Sequence, residues 1–390
     1  NPNNPNNPNN PNNPNNPNNP NNPNNPNNPN NPNNPNNPNN PNNPNNPNNP
    51  NNPNNPNNPN NPNNPENSNN SAKLKPTYRK EVPLYAAVGA QLRQTDIIML
   101  GNMHQRIGAT PTTDERMSWG RIISGRTDIR QDGVSDTHSK GNYIGVQLGS
   151  DIWHNQNWRI GGYLGYIYND LDIDGFASGI YNNVGKNTSK SYFIGAYSNY
   201  VYNNRAYIDI VLQGAHHHVD IKPNGNNNST QKGHGLTASI ETGKPFPISN
   251  SNWEIEPQAQ IVHQWLDLND TDISGKTSVS HNHNNAWLFR LGGRMQGNYQ
   301  LNKGTLHPYA RINLFYSPDG ADRTTYRTNF AATTLHSGSA HTSTELAIGA
   351  NYNINERVKI YSEIGHTWSN GGNARVKAPL SGSLGLKVNW

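Results

Sequence analysis

Histidine clusters are the residues of this chain whose spacing most readily indicates a reactive site. His216, His217 and His218 are consecutive, and His281 and His283 are two positions apart. Imidazole is a common ligand of zinc and other transition metals. Neighbouring residues of a strand point to opposite faces, however, so at most two of the three consecutive histidines could converge on one ion. The second pair lies in a polar segment typical of a loop. We therefore interpret both clusters as polar surface groups and predict no metal site.

Other catalytic groups do not form a recognisable arrangement. A hydrolytic site needs a nucleophile and a base within hydrogen-bonding reach, or paired carboxyl groups with shifted pKa values. The sequence has neither a Gly-x-Ser-x-Gly elbow nor a His-Glu-x-x-His motif, and it contains no cysteine. A chain without cysteine suits passage through an oxidising compartment, where disulfides could fix the wrong shape. We therefore predict no catalytic residue and no cofactor.

The elements that would position these residues are strands. From Met117 onward, apolar and polar residues alternate, which is the period-two pattern of strands with two different faces. In residues 253–266, one face carries Trp253, Ile255, Pro257, Ala259, Ile261, His263 and Trp265. The other face carries Glu254, Glu256, Gln258, Gln260 and Gln264. About twelve such runs follow one another, each near the ~9–11 residues with which a tilted strand crosses a bilayer.

The connections between these runs alternate in length. A long connection over 126–140 precedes a short one over 154–157, and a long one over 169–190 precedes a short one over 202–204. Short turns at one end, long loops at the other and an even strand number are typical of bacterial outer-membrane barrels. Aromatic residues at the strand ends favour the same environment. We predict an all-β fold, a closed transmembrane antiparallel barrel of about twelve strands over residues 117–390.

Three segments precede the strands. Residues 1–65 form a Pro-Asn-Asn repeat that cannot pack a core and favours an extended spacer. Residues 66–82 continue as a linker. The sequence of residues 83–108 predicts a helix that is broken near Gly101. Each face of this helix mixes polar and apolar side chains. The net charge of +5 is not gathered into a basic run, so no nucleic-acid partner is predicted.

The chain closes with a strand pattern, Ser-Gly-Ser-Leu-Gly-Leu-Lys-Val-Asn-Trp, over residues 381–390. One face of this pattern carries Leu384, Leu386, Val388 and Trp390. Chain termini are usually loose, so a final strand that ends on a large aromatic residue requires an explanation.

The order of these parts resembles a known family. A linker, a helix of about two dozen residues, the tripeptide Trp119-Gly120-Arg121, about twelve strands and a terminal aromatic residue are similar to the translocator domain of type Va autotransporters. The stretches 145–152, 195–200 and 256–264 are similar as well. The resemblance covers residues 83–390, and it depends on the order of parts more than on any single motif.

The resemblance implies a location and a function. We expect a barrel in the outer membrane of a Gram-negative bacterium, in contact with lipid, that exports and displays a passenger lying N-terminal to it. The final strand, with Trp390 at its end, is expected to be recognised by the barrel-assembly machinery. Periplasmic chaperones are further expected partners, and the barrel is expected to be a monomer with its N-terminal segment at the cell surface.

The lumen of such a barrel is expected to be polar. An even strand number places both ends of the barrel on the periplasmic side, so the helix has to descend through the lumen to reach the first strand. We predict that the helix contributes Arg93, Asp96 and Arg106. On the wall facing them we expect Glu254, Glu256, Arg290 and Arg311, with Asp209 as a further lumen residue. Each pair would be partly hydrated, so that losing one partner would cost roughly 0–1 kcal/mol.

Three alternatives remain open at this stage. Some members of the family cut their own passenger from the helix with inward carboxylates, for which the candidates are Asp209, Glu254, Glu256, Glu345 and Glu363. Pairing with arginine or lysine is the commoner fate of such groups. A porin-like or adhesive barrel whose long loops bind other surfaces is the second alternative, but it has no reason to carry a helix before its first strand. A soluble all-β protein, extractable without detergent, is the third.

Overall fold

The computed structural model describes residues 77–110, 115–273, 276–283, 286–318 and 320–390. Helices α1 (Glu81–Leu100) and α2 (Met103–Ile107) come first. Within the described residues, twelve long strands follow: β1 (Met117–Gln131), β2 (Thr137–His154), β3 (Trp158–Ala177), β4 (Ile180–Val201), β5 (Tyr207–Pro223), β6 (Ser229–Gly243), β7 (Trp253–Leu268), β8 (Ala286–Gly297), β9 (Thr305–Ser317), β10 (His341–Asn353), β11 (Val358–Gly371) and β12 (Ala374–Asn389).

The sheet closes on itself. Each long strand pairs antiparallel with the next along the chain, and β12 pairs with β1 from Met117 opposite Asn389 to Gln131 opposite Ala374. Closure leaves no free edge in the barrel sheet, as far as the described residues extend. The prediction of a closed antiparallel barrel of about twelve strands is confirmed.

The outer face of the barrel is apolar, whereas the inner face carries buried polar side chains together with apolar ones that pack against the helix. Leu164, Ile194 and Leu291 point outward with 63%, 66% and 65% of their surface exposed. The residues between such positions point inward and are buried, among them Gln147, Gln213, Gln231 and Glu241. An outward apolar band with a polar interior is the arrangement that lipid requires of a membrane barrel.

Several segments predicted as loops are strands. The chain turns between β3 and β4 at Ser178 and Gly179, with φ of 53° and 78°, so most of the connection predicted over 169–190 belongs to those two strands. Similarly, β1 and β2 leave only residues 132–136 of the connection predicted over 126–140. The strands project beyond the apolar band, where polar cross-strand pairs such as Lys186 and Asp170, 3.2 Å apart, replace the apolar alternation.

The two longest connections, 269–285 and 318–340, carry a second sheet. Its strands Thr271–Ile273, Thr277–His283, Ala321–Arg327 and Ala332–Gly338 pair with one another, and we call them the loop sheet. At the other rim, the two-residue strands Phe246–Pro247 and Tyr299–Gln300 extend the pairing of β7 and β9. The loop sheet lies over the start of α1, where the Tyr326 hydroxyl donates to the carbonyl oxygen of Val82 at 2.5 Å.

The helical segment is interrupted where its glycine lies. Helix α1 ends at Gly101, which has a φ of 57°, a value in the left-handed region that favours glycine. Asn102 then caps α2, because its side chain accepts from the backbone N–H of Gln105 and the Gln105 side chain accepts from that of Asn102. Among the described residues, no helix combines the length and the apolar character that crossing a membrane would require.

Candidate functional site: the helix in the lumen

The helical segment lies inside the barrel and is buried on nearly all sides. At the loop-sheet end, Leu84, Tyr85, Val88 and Leu92 pack with apolar residues of the wall and of the loop sheet. At the other end, Met99, Leu100, Met103 and Ile107 pack against wall residues including Trp119, Tyr163 and Tyr207. Because the barrel wall and the loop sheet surround the helix on every side, it has no single apolar stripe.

Arg106 forms a deeply buried ion pair between helix and wall. Its Nη2 donates to Asp209 Oδ2 on β5 at 2.5 Å, and both side chains are almost completely buried, with 1% and 0% exposed. Asn199 on β4 donates to the other Asp209 oxygen. The Tyr361 hydroxyl donates to the backbone carbonyl of Arg106. A charged pair this deep is favourable only when most of its hydrogen bonds are made. Here both Asp209 oxygens accept a hydrogen bond and Arg106 Nη1 donates to the carbonyl oxygen of Leu100, while Arg106 Nε has no partner among the described residues.

Helix α2 is held at its start by carboxylates of β6 and β7. The backbone N–H of Met103 donates to Glu241 Oε2 at 2.9 Å, and His104 Nε2 lies 2.7 Å from Glu256 Oε1. Glu241 also accepts from the Tyr207 hydroxyl at 2.8 Å. A carboxylate at a helix N-terminus meets unpaired backbone donors and the positive end of the helix dipole.

The middle of α1 meets the wall through a chain of three buried groups. Asp96 Oδ1 lies 3.1 Å from His217 Nε2, and His217 Nδ1 is 2.7 Å from the Ser191 hydroxyl. All three side chains are buried. Gly235 on β6 permits the approach, since a Cβ at that position would lie 2.8 Å from Asp96 Oδ2. His217 therefore joins the helix to the wall, whereas His216 and His218 point outward.

Arg93 joins the helix to the loop sheet. Its guanidinium makes two hydrogen bonds to the carboxylate of Asp322, at 2.7 and 2.5 Å, in the two-pronged geometry that suits this pair of groups. Gln131, at the end of β1, donates to the same carboxylate at 3.3 Å. The buried carboxylate of Asp322 therefore connects the helix, the barrel rim and the loop sheet.

The four wall residues predicted to face the helix charges do not meet them, whereas Asp209, also predicted as a lumen residue, does meet Arg106. Arg93, Asp96 and Arg106 meet Asp322, His217 and Asp209, and not the four wall residues predicted to face them, of which Glu256 instead meets His104. The other three pair elsewhere: Glu254 with Arg205 in a rim turn, Arg290 with Glu241, and Arg311 with Glu345 and Glu363. The period-two pattern of β6 places Glu241 on the inner face and could have identified it, but no sequence signal indicates Asp322.

The lumen retains a small cavity beside the helix break. It has a volume of about 130 Å³, and residues such as Gln94, Ile98, Arg121 and Glu345 line it. A cavity of this size, lined by both polar and apolar groups, has room for several water molecules. Within the described residues, no group of three or more His, Asp or Glu side chains is arranged to hold a metal ion. His281 contacts Gln231 at 3.1 Å, and the side chain of His283 lies outside the described residues.

We expect Arg106→Met to destabilise the folded barrel by about 3–5 kcal/mol, because Asp209 would remain as a buried carboxylate without its cation. This exceeds the roughly 0–1 kcal/mol that the sequence predicts for a hydrated pair. The measurement is the urea midpoint at which the compact gel band of the unheated protein disappears. Arg205→Met is the matched control, because 51% of that side chain is exposed and its loss should cost roughly 0–1 kcal/mol.

A second variant separates the buried charge from the loss of packing. In Arg106→Met/Asp209→Asn the uncompensated charge is gone, so most of the lost stability should return. Equal midpoints for Arg106→Met and Arg205→Met would show that the lumen pair is hydrated after all.

Comparisons with known proteins agree with this geometry. The chain is 24% identical over 360 residues to the adhesin BmaC autotransporter of Brucella suis, covering 81% of this chain but only 10% of that relative. The transport unit of the autotransporter AIDA-I from Escherichia coli superposes with a TM-score of 0.64 at 18% identity, over 80% of this chain and 100% of that chain. The translocator domain of NalP from Neisseria meningitidis gives 0.57 at 12% identity, over 79% and 99%.

The family model described as autotransporter beta-domain matches residues 118–365, which is more than half of the chain. The match runs from the start of β1 into β11 and therefore spans nearly all of the barrel. The chain belongs to the autotransporter beta-domain family.

Proposed function

We propose that this chain is the translocator of a longer autotransporter and that the helix-filled barrel is its state after export. The autotransporter beta-domain is an export domain of the outer membrane. The observation that carries the proposal is the path of the helical segment. Its start lies under the loop sheet, where Tyr326 binds Val82, and its end lies at the opposite rim, where Lys387 Nζ donates to the carbonyl oxygen of Ala109 at 3.0 Å.

The path of the helical segment through the lumen supports a position at the cell surface for the part of the chain that precedes α1. The strand ends that project furthest and the loop sheet lie on one side, which corresponds to the extracellular side of outer-membrane barrels. A passenger N-terminal to this chain would then be displayed outside. Residues 1–65, which lie outside the described residues, would act as its spacer. At roughly 3 Å per residue, an extended polyproline-like chain of that length reaches at most about 200 Å.

Assembly partners complete the proposal. Leu384 and Leu386 lie exposed on the outer face of β12, and Trp390 follows the strand with 59% of its surface exposed. This face is accessible to a recognition partner before insertion and to lipid afterwards. We assign the recognition to the barrel-assembly machinery, after delivery by periplasmic chaperones, and we expect the inserted barrel to act as a monomer because closure leaves no free strand edge.

The barrel is a non-enzymatic export domain. Of the carboxylates that could cut the helix, Asp209, Glu254, Glu345 and Glu363 each lie within salt-bridge distance of an arginine, and Glu256 lies beside His104. A carboxylate committed to a cation is a poor base. We therefore propose that Asp209, Glu256 and Glu363 hold the helical segment in place, that Glu254 and Glu345 stabilise the rim and the wall, and that the chain remains uncut in the outer membrane.

An epitope placed ahead of Asn1 tests the proposal. Antibody added to intact Gram-negative cells that export the full chain should label this epitope. The same epitope inserted at the exposed Asn250, in the turn between β6 and β7, should be labelled only after the outer membrane is permeabilised. Both chains should migrate as compact bands when unheated, which shows that each barrel is folded. Labelling of the Asn250 epitope on intact cells, with the first epitope hidden, would reverse the orientation and refute the proposal.

A further inference from the structure

On the outer face of β4, β5 and β6, residues that pair in register across the three strands form rows. The chemical type of these rows changes from apolar to aromatic to basic toward the loop-sheet rim. In the apolar band, Ile194 and Leu236 are 66% and 43% exposed. Two residues further toward the rim, the cross-strand partners Tyr192, His216 and His234 form an aromatic row. Such rows mark the level at which the hydrocarbon of a bilayer gives way to its headgroups.

Two residues further again, the outward row is basic. Lys190 on β4 pairs in register with His218 on β5, and His218 pairs with Lys232 on β6. Both lysines are exposed. His218 is engaged by Asp220, 3.2 Å away. Within the described part of the chain, neither lysine lies within salt-bridge distance of a carboxylate. The nearby Asp220, in the next outward row of β5, is bonded to His218, so the row presents two lysines without a salt bridge.

The spacing of the two lysines suits one ligand. Two steps of about 4.8 Å separate their strands, so their backbones lie roughly 10 Å apart. The ammonium groups sit on flexible four-carbon stems and can converge on a phosphate that lies between them. Tyr192 and His216 in the row below offer a flat surface for the upper part of an acyl chain or a sugar.

Two other positions on the outer face differ from this site. Lys186, further out on β4, lies 3.2 Å from Asp170 and 3.7 Å from Asp172, so its charge is compensated. On the far wall, Trp368 on β11 pairs in register with Thr344, and the next outward residue is the neutral Asn370, which donates to Thr344 Oγ1 at 2.6 Å. On β11 the aromatic residue is therefore followed by a neutral residue, whereas on β4 and β6 the aromatic row is followed by a lysine.

We propose that Lys190 and Lys232 form a binding site for a phosphorylated lipid headgroup of the outer leaflet. The proposal rests on the outer-membrane location and on the orientation proposed above. The outer leaflet of this membrane is rich in phosphorylated glycolipid, so the charge of the ligand and that of the site are complementary. Phosphate binds the two ammonium groups while the acyl chains lie on the apolar band beneath. The site anchors β4 to β6 at a fixed depth and is independent of the lumen.

The test uses the full chain folded in a neutral detergent and bisphosphorylated lipid A as the probe, with binding followed by native mass spectrometry. Lys190→Gln/Lys232→Gln should weaken binding by at least about tenfold, in line with the contribution of a basic residue at an anionic surface. Lys303→Gln makes the same change in an exposed turn of the opposite rim and should leave binding unchanged. Lys190→Arg/Lys232→Arg should retain it.

Two further probes separate the sources of phosphate. Dephosphorylated lipid A should bind no better to the parent than to the double glutamine variant, because the charges then have no partner. Inorganic phosphate alone should not compete at millimolar concentration, because it lacks the acyl chains. Unchanged binding in the double glutamine variant, equal binding of dephosphorylated lipid or full competition by inorganic phosphate would each overturn the proposal.

Discussion

A barrel that consists of residues 109–390 alone is expected to conduct ions at least about tenfold better in a planar bilayer than the full chain does. Without the helices that fill it, the lumen resembles the water-filled channel of a porin. The physical reason is the space that α1 and α2 occupy. They are buried on nearly all sides, and the cavity beside them measures only about 130 Å³. Removing them opens the lumen and also exposes the inward carboxylates and arginines to water.

The control for this experiment is a chain of residues 77–390, which lacks the repeat but keeps both helices. Its conductance should match that of the full chain. Both shortened chains should show the compact band of the unheated protein, so that conductance is compared between folded barrels. If the 109–390 barrel is folded but conducts no better than the full chain, the helix does not close the pore, and the proposed state after export loses its support.

Replacement of Trp390 by Asp is expected to reduce the amount of barrel assembled in the outer membrane severely, while leaving the stability of the refolded barrel almost unchanged. In the folded barrel this side chain makes few contacts: its Nε1 donates to Ser118 Oγ at 3.0 Å, and the guanidinium of Arg116 lies 5.5 Å from the ring. Contacts at so exposed a position contribute about 1 kcal/mol or less. A large loss in cells would therefore come from recognition during assembly.

Trp153→Asp is the matched control, because Trp153 is also a partly exposed tryptophan, with 46% of its surface accessible, near the end of β2 at the same rim. It should assemble far better than Trp390→Asp. Trp390→Phe should assemble like the parent, since the aromatic character is kept. Surface amounts are measured by antibody on intact cells, and stability by the urea midpoint after refolding in detergent. Equal surface amounts for Trp390→Asp and Trp153→Asp would remove the terminal residue from the recognition signal.

The barrel could be predicted because its determinants are local. The alternation in segments such as 253–266 follows directly from which face meets lipid, and lipid tolerates few exceptions. The alternation of apolar and polar residues cannot identify the strand segments that project beyond the apolar band. There, polar pairs such as Lys186 and Asp170 stabilise a strand that has no apolar face. The polar composition of 169–190 therefore indicated a loop, although the segment is mostly strand.

The partners inside the lumen could not be predicted, because they depend on quantities that the sequence does not contain. The depth of the helix along the barrel axis decides whether Arg106 meets Asp209 or another carboxylate. The stagger between neighbouring strands decides which inward residues share a level. Asp322 adds a third difficulty, since it reaches Arg93 only after two distant connections have paired to form the loop sheet. Each of these is a long-range feature of the assembled fold.

Four side-chain contacts of the helical segment, among the several that hold it, also have a mechanical consequence. From Arg93 to Arg106 they are spread over roughly 20 Å at 1.5 Å per residue. A force that pulls the chain outward at Thr77 acts along the barrel axis and loads the Arg93, Asp96, His104 and Arg106 contacts together, in shear. Because these four contacts are loaded at the same time, each carries only part of the force. Contacts that opened one after another would each carry the whole force in turn. The barrel is therefore suited to act as a strong tether, with tension carried into the strand ladder of β1 and not by the lipid alone.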